Sequence, residues 1–173
     1  MITGASLNEP QPSELRDAVR RVHRQFPTGV TIVTMQHDHV PYGLAVNAFS
    51  SVSLDPPMVL VCVAGTSATY PHLFGCDELA VNILAHDQGN VVERFARSGG
   101  DKFAGLDWHA GENGAPVLAG VSAHLELRVE RRLPAYTHTI FTGRVTRAAS
   151  SAAAPLIYLD GQTFAATALT REP

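Results

Sequence analysis

Two long stretches of alternating apolar and polar residues, SAHLELRVERRL (122–133) and THTIFTGRVTRAA (137–149), are separated only by PAY. Alternation with a period of two predicts strands that have one buried face and one exposed face. A connection this short joins antiparallel neighbours, because parallel strands need a crossover of roughly a dozen residues or more. The two segments therefore predict a hairpin of adjacent strands in an antiparallel β-sheet.

Further segments have the composition of strands: VTIVTM, LAVNAFSSVSL, MVLVCVA, ELAVNIL and PLIYLDGQTFAA. A parallel doubly wound sheet would need a helix after nearly every strand, whereas several of these segments follow one another directly. We therefore expect a mainly β fold, a closed antiparallel β-barrel with a few α-helices packed outside it.

The rest of the chain predicts short helices and one tail. Apolar residues recur at helical spacing in segment 13–26, at Leu15, Val19, Val22 and Phe26. Ser13 is the expected N-cap of this helix. A second helix is expected to begin after an N-cap at Asp87 and to end near Gly99. Residues 1–12 have no periodicity and predict a flexible tail, so we expect a single domain over 13–170.

Charge and hydropathy exclude several classes of partner. The chain has 173 residues and a formal charge of -3, so we expect no nucleic-acid partner, which would need a basic surface. No uncharged apolar run approaches the roughly 20 residues that span a bilayer. The two cysteines form no CxxC motif and predict no disulfide framework, which favours a reducing, cytoplasmic setting.

Common catalytic and metal-binding motifs are absent. The sequence has no GxGxxG after a strand, no GxxxxGK[ST], no GxSxG and no HExxH. His37 and His39 could offer two ligands to a metal, but no third ligand is evident, so we expect a solvated turn and no metal. Cys62 lies in an apolar run and Cys76 precedes two acidic residues, so we expect both thiols to be unreactive.

The segment VNAFSSVSLDPP (46–57) carries several small hydrogen-bonding groups on a predicted strand. One interpretation is the polar face of an exposed strand. The other is a binding surface, because the small residues Ala45, Ala48 and Ser51 would leave the backbone accessible to a flat molecule. Main-chain N–H and C=O groups could then bond the edge of a planar heterocycle.

Two segments downstream could hold a phosphate. GTSATYPH places Thr66, Ser67 and Thr69 at the expected start of a helix, where amide N–H groups and hydroxyls bind anions. Lys102, followed by Phe103, supplies a cation that could reach the same phosphate. A planar ring on small-residue strands together with a phosphate at a helix start indicates a flavin nucleotide.

Several motifs together resemble a known family. FPTGVTIVT, PYGLAVNAFSSVSLDPPMVLVCV, TSATYPHL, ELAVNIL, RFARSGGDKFAGLDW, THTIFTGRV and PLIYLDG, in this order, are similar to the short-chain NAD(P)H:flavin oxidoreductases. These are the reductase components of two-component flavin-dependent monooxygenases, and within them the chain is most similar to reductases of aromatic polyketide pathways. The resemblance covers about residues 15–168 and implies an FMN-binding split β-barrel, usually a homodimer with the flavin near the subunit interface.

The resemblance also implies roles for individual residues. The flavin ring would be lined by Ala45, Val46, Asn47, Ala48 and Phe49, and Ser51 would approach the ribityl chain. The phosphate would be held by Thr66, Ser67, Ala68 and Thr69, with Lys102 and Phe103 closing over it. His138 would face the nicotinamide, and Tyr158 would also contact the cofactors.

Two segments depart from the family pattern. Tyr136 and Thr137 stand where many members have Gly and Asp before the histidine. The Leu159 that follows Tyr158 stands where many have a polar residue. Both departures fall where the nicotinamide would bind.

The expected function is NAD(P)H-dependent reduction of free FMN or FAD, with reduced flavin passed to a partner monooxygenase. NADH is favoured over NADPH, because no basic pair is placed for a 2′-phosphate. Two alternatives remain open. One is a flavin-binding protein of the same fold without reductase activity, and the other is a reductase that keeps its flavin and reduces an organic substrate directly.

Overall fold

The structure, a computed structural model, describes residues 11–168. The elements in chain order are helix α1 (Pro12–Arg24), strands β1 (Thr28–Gly29), β2 (Thr31–His37), β3 (Val40–Val46), β4 (Phe49–Leu54) and β5 (Pro57–Ala64), helix α2 (Tyr70–Phe74), strand β6 (Glu78–Ile83), helix α3 (Gly89–Ala96), strands β7 (Trp108–Ala110), β8 (Pro116–Leu118), β9 (Ala123–Ala135), β10 (His138–Ser150), β11 (Leu156–Leu159) and β12 (Gln162–Ala165), and a 3-10 turn (Ala166–Ala168).

One seven-stranded antiparallel sheet, in the order β3-β2-β6-β9-β10-β5-β4, forms the body of the molecule. The predicted long hairpin is confirmed as β9 and β10, and its turn consists of Tyr136 and Thr137. The smaller sheets β1-β11-β12 and β7-β8 lie beside it. The expectation of a mainly β, antiparallel fold is therefore confirmed.

The two edge strands of this sheet are consecutive in the chain. No ladder of hydrogen bonds joins β3 to β4 within residues 11–168, so the predicted closed barrel is not observed there as a continuous ring. The expectation of one continuous strand through 44–54 is wrong, because the chain leaves the sheet at Asn47 and Ala48. The Ala48 carbonyl instead accepts a hydrogen bond from the Cys62 N–H of β5, at 2.9 Å.

The helix boundaries differ from the predicted caps. Helix α1 begins at Pro12, and the backbone N–H of Gln11 donates to the Glu14 carboxylate at 3.2 Å, so Ser13 is not the N-cap. The N-cap of α3 is Gln88 and not Asp87, and α3 ends at Ala96. Residues 1–10 of the predicted flexible tail lie outside the residues that the structure describes.

Helix α1 is amphipathic, as predicted, but it has no buried residue. Its apolar stripe is exposed, with Leu15 at 52%, Val19 at 42% and Val22 at 68%, and Phe26 after the helix is 70% exposed. An amphipathic helix normally buries such a stripe, so this face has the composition of a contact surface.

The core on the α3 side of the sheet is aromatic. The ring of Phe95 meets Phe103 edge-on, with centroids 5.2 Å apart, and Phe103 meets Trp108 in the same way at 5.6 Å. A buried side chain, Asn82, positions the β7-β8 hairpin that carries Trp108. It donates to the Thr34 hydroxyl at 3.0 Å and accepts from the Leu118 N–H at 2.8 Å.

No helix in the described part of the chain is both long and apolar enough to cross a membrane.

Substitution of Gly43 by Ala is expected to destabilise the fold by about 1–3 kcal/mol, because the core has no room for a methyl group there. A Cβ at this position would lie 2.6 Å from Phe95 Cε1 and 3.2 Å from Thr34 Cγ2. The free energy of unfolding in urea measures the effect. Gly29→Ala is the matched control, since a Cβ there has nothing within 4 Å. Equal stability of the two variants would contradict this packing.

Candidate functional site

A cavity of about 460 Å³, called here the main cavity, opens where β3, β5 and β10 meet two loops. Its volume is in the range of small-molecule sites, roughly 300–1,000 Å³. Ten of the residues proposed from the sequence line it: Ala45, Val46, Asn47, Ala48, Thr66, Ser67, Ala68, Thr69, Lys102 and His138. The fold therefore brings together four segments that are distant in sequence.

Four of the proposed residues do not line the main cavity. Phe49 and Tyr158 face a second cavity beside α1, Ser51 is exposed on β4, and Phe103 is buried in the aromatic core. The break at Asn47 and Ala48 explains why Phe49 lies away from the main cavity, because β4 begins at Phe49 as a separate strand. Phe103 packs among aromatic side chains, and its closure over a phosphate stays a prediction.

The loop between β5 and α2 presents free backbone donors to the main cavity. The N–H of Ser67 bonds the Ala64 carbonyl at 3.1 Å, and the N–H of Thr69 bonds the Ser67 hydroxyl at 3.3 Å. Within residues 11–168, the backbone N–H groups of Thr66 and Ala68 have no protein acceptor. An anion in the cavity could accept from both.

Lys102 is held at the cavity wall by main-chain carbonyls. Its ammonium donates to the carbonyls of Gly43 and Phe95, each at 3.2 Å, and one of its three N–H bonds remains for a ligand. The Gly43 carbonyl also accepts from the Thr69 hydroxyl at 3.3 Å. Burial lowers the pKa of Lys102 below its usual value, and a bound anion would oppose that shift.

Sequence reasoning missed several residues of the main cavity, among them Cys62, Arg97 and Ser98. The exposed Arg97 lies on the loop before Lys102 and pairs with Glu93 at 3.5 Å, so a second cation borders the site. The segment RSGGDK contains both cations, a signal that could have identified Arg97. Cys62 lines the cavity and is not entirely within the core, and burial raises the pKa of its thiol.

His138 is the first residue of β10 and lies opposite Ala64 of β5. Its Nδ1 shares a hydrogen bond with the Thr137 hydroxyl at 2.9 Å. The Thr137 carbonyl accepts from the N–H of Gly65, at 2.9 Å, so the residue before His138 is bonded to the loop between β5 and α2. Nε2 of His138 has no protein partner in the described region and can face a ligand.

The histidine pair of the β2-β3 turn lies elsewhere. The turn is only Asp38 and His39, and His37 contacts Cys76 with Nδ1 and Sγ 3.7 Å apart. Burial and Asp77 raise the pKa of the Cys76 thiol. No group of three or more His, Cys, Asp or Glu side chains in the described range is arranged to hold a metal ion.

The family comparison agrees with this geometry. The family model described as a flavin reductase like domain matches residues 22–167. The actinorhodin polyketide dimerase of Streptomyces coelicolor is 41% identical over 155 residues, which are 88% of this chain and 84% of that protein. A stachydrine N-demethylase reductase subunit of Rhizobium meliloti is 40% identical over 149 residues. The matched residues are 86% of this chain but 65% of the reductase subunit, so the chain spans less than two thirds of the length of that relative.

A solved structure has the same fold. The NADH:FAD oxidoreductase of Streptomyces globisporus, solved in complex with NAD and FAD fragments, is 38% identical and superposes with a TM-score of 0.83. The match covers 95% of this chain and 99% of that chain.

Proposed function

The chain belongs to the family of flavin reductase-like domains, and from this premise we propose that it reduces free FMN or FAD with NAD(P)H. The reduced flavin would pass to a partner monooxygenase. The likeness to the actinorhodin polyketide dimerase supports a role in aromatic polyketide biosynthesis. The observation that carries the proposal is that Asn47, Thr66, Lys102 and His138, from four separate segments, line one cavity.

The residues of the main cavity fit a flavin nucleotide. Ala45, Ala48 and Ala64 leave room for a flat ring against the backbone of β3 and β5. The free N–H groups of Thr66 and Ala68 suit the phosphate, and Lys102 supplies a positive charge beside them. The cavity therefore offers a flat apolar surface for the flavin ring and hydrogen-bond donors for its phosphate.

The protein's contribution to catalysis is positional. A bound flavin accepts a hydride directly from a reduced nicotinamide, so no general base from the chain is required. The walls of the main cavity would hold the flavin beside the nicotinamide, and proximity would then supply most of the acceleration. His138 borders this cavity and orients the nicotinamide through Nε2. It is a positioning residue.

A protein that passes reduced flavin to a partner must bind the flavin only moderately tightly. The phosphate would be held by amide donors and by Lys102, whose ammonium is already shared between two carbonyls. The exposed Arg97 is engaged with Glu93 and adds little fixed attraction. A site of this kind can release its flavin after reduction.

A homodimer is the proposed assembly. The exposed stripe of α1 borders the second cavity, here called the helix groove, which has a volume of about 920 Å³. Apolar walls of this groove include Phe26, Phe49 and Leu60. A second copy would bury the stripe and the groove together, and twofold symmetry would double the contact. The split β-barrel implied by the resemblance would have its opening between β3 and β4, near this surface.

The proposed location is the cytoplasm. Both Cys62 and Cys76 are free thiols, which is usual in a reducing compartment.

The function predicts NADH oxidation that depends on added FMN or FAD. We expect the rate of the purified protein, followed by the loss of NADH absorbance, to rise and saturate with free flavin. Flavin binding without turnover would favour the binding-protein alternative. Turnover that needs no added flavin but requires an organic acceptor would favour an enzyme that keeps its flavin.

Replacement of His138 by Ala is expected to lower kcat/KM for NADH about fivefold to tenfold, mainly through KM, because the nicotinamide loses its orienting contact. His138→Gln keeps a hydrogen-bond donor and should recover part of the loss. The control is His86→Ala, which alters an exposed histidine outside the main cavity. Wild-type kcat/KM in His138→Ala would refute the role.

Charge on the α1 stripe is expected to dissociate the dimer. Val22→Glu should raise the dimer dissociation constant at least about tenfold, because the interface would bury an unpaired carboxylate. Sedimentation equilibrium measures the constant. Ser13→Glu is the control, since it adds the same charge on the opposite side of the helix. A monomeric wild-type protein would contradict the assembly.

A further inference from the structure

A third cavity adjoins the main cavity at Lys102. Its volume is about 680 Å³, and we call it the tryptophan cavity. It shares Ala68, Thr69 and Lys102 with the main cavity. Its other walls come from the start of β3, from the loop 99–104 and from Trp108. The phosphate-binding residues therefore stand between two chambers.

We propose that the tryptophan cavity binds the adenosine diphosphate part of FAD, which makes FAD the preferred flavin of this protein. The inference rests on the proposed function, because it assumes that the flavin ring occupies the main cavity. It goes further by naming which of the two flavin nucleotides the chain selects and which residues select it.

The loop before Lys102 borders the tryptophan cavity with two residues that have no side chain. Gly99 and Gly100, which line the tryptophan cavity, have positive φ values of 76° and 73°. A Cβ built on either glycine would have no atom within 4 Å, so open space lies beside the main chain. Lys102, on the shared wall, can place its remaining N–H on a diphosphate.

The walls also match the adenosine. Trp108 is half-buried, and its ring plane lies at 70° to that of Phe103, so the two rings are not stacked face to face. A purine can stack on an indole face. Tyr42 is less suited, because His72 already stacks on it at 3.8 Å.

A carboxylate is available for the ribose. Oδ1 of Asp101 accepts from the N–H groups of Phe103 and Ala104, at 2.9 Å and 3.1 Å. Its second oxygen has no partner among the described residues, and Asp101 lines the same cavity. Ribose hydroxyls commonly bond acidic side chains in nucleotide sites.

NADH carries the same adenosine diphosphate group, but the position of the cavity favours FAD. In FAD this group is covalently attached to the phosphate expected beside Thr66, Ala68 and Lys102. It would leave the main cavity beside Lys102, where the tryptophan cavity begins. The adenosine diphosphate of NADH is not covalently linked to the flavin phosphate, so nothing ties it to the neighbourhood of Lys102.

The test compares the affinities of FAD and FMN for the apoprotein by equilibrium dialysis. We expect FAD to bind at least about tenfold more tightly. Ala104→Phe fills the tryptophan cavity from an exposed position and should weaken FAD at least about tenfold more than FMN. Ala149→Phe adds the same ring at an exposed site on β10 and should keep the wild-type preference.

An independent readout uses Trp108, the only tryptophan of the chain. ADP does not absorb the light that excites tryptophan, so quenching of its fluorescence by ADP, but not by orthophosphate, reports adenine in the tryptophan cavity. We expect saturable quenching by ADP in the wild type and its loss in Ala104→Phe.

Equal affinities for FAD and FMN, or absence of ADP quenching, would overturn the inference while leaving flavin reduction intact. A rise of KM for NADH in Ala104→Phe, with unchanged FAD affinity, would assign the cavity to NADH and also overturn it. Failure of both flavins to bind would refute the proposed function together with the inference.

Discussion

The site depends on one close approach, that of β3 to α3 at Gly43. Because this residue has no side chain, the Phe95 ring packs directly against the strand. The carbonyl of the same residue accepts hydrogen bonds from Thr69 and Lys102, which lie on two different loops. The absence of one methyl group thus sets the distance between sheet and helix, and the adjacent carbonyl fixes both loops around the cavity.

Much of the fold could be predicted because its strongest signals are local. The alternation that becomes β9 and β10 predicted the central hairpin, and the apolar spacing of α1 predicted a helix. Segments 45–48 and 66–69, which the sequence assigned to one site, line the same cavity. The break at Asn47 and Ala48 was not predicted, because strand-like segments flank it on both sides, and the bond of Ala48 to the neighbouring β5 depends on tertiary structure.

The same dependence on tertiary structure applies to other residues. The resemblance assigned Phe49 and Tyr158 to the flavin, whereas both line the helix groove, and the sequence does not tell which of two cavities a side chain faces. Phe103 was assigned to the phosphate, whereas its burial among Phe95 and Trp108 depends on residues distant in sequence. Arg97 was overlooked because an exposed arginine beside a glycine pair resembles ordinary loop composition. The predicted residues that lie away from the main cavity are thus those whose surroundings depend on tertiary packing.

The two residues that interrupt the sheet, Asn47 and Ala48, line both the main cavity and the helix groove. They form a thin partition with a cofactor surface on one side and the proposed subunit contact on the other. Subunit association and cofactor loading then become linked equilibria: whatever orders the partition from one side lowers the entropic cost of binding on the other. The affinity for flavin would consequently vary with protein concentration, so dilution itself would act as a control on how readily the cofactor leaves.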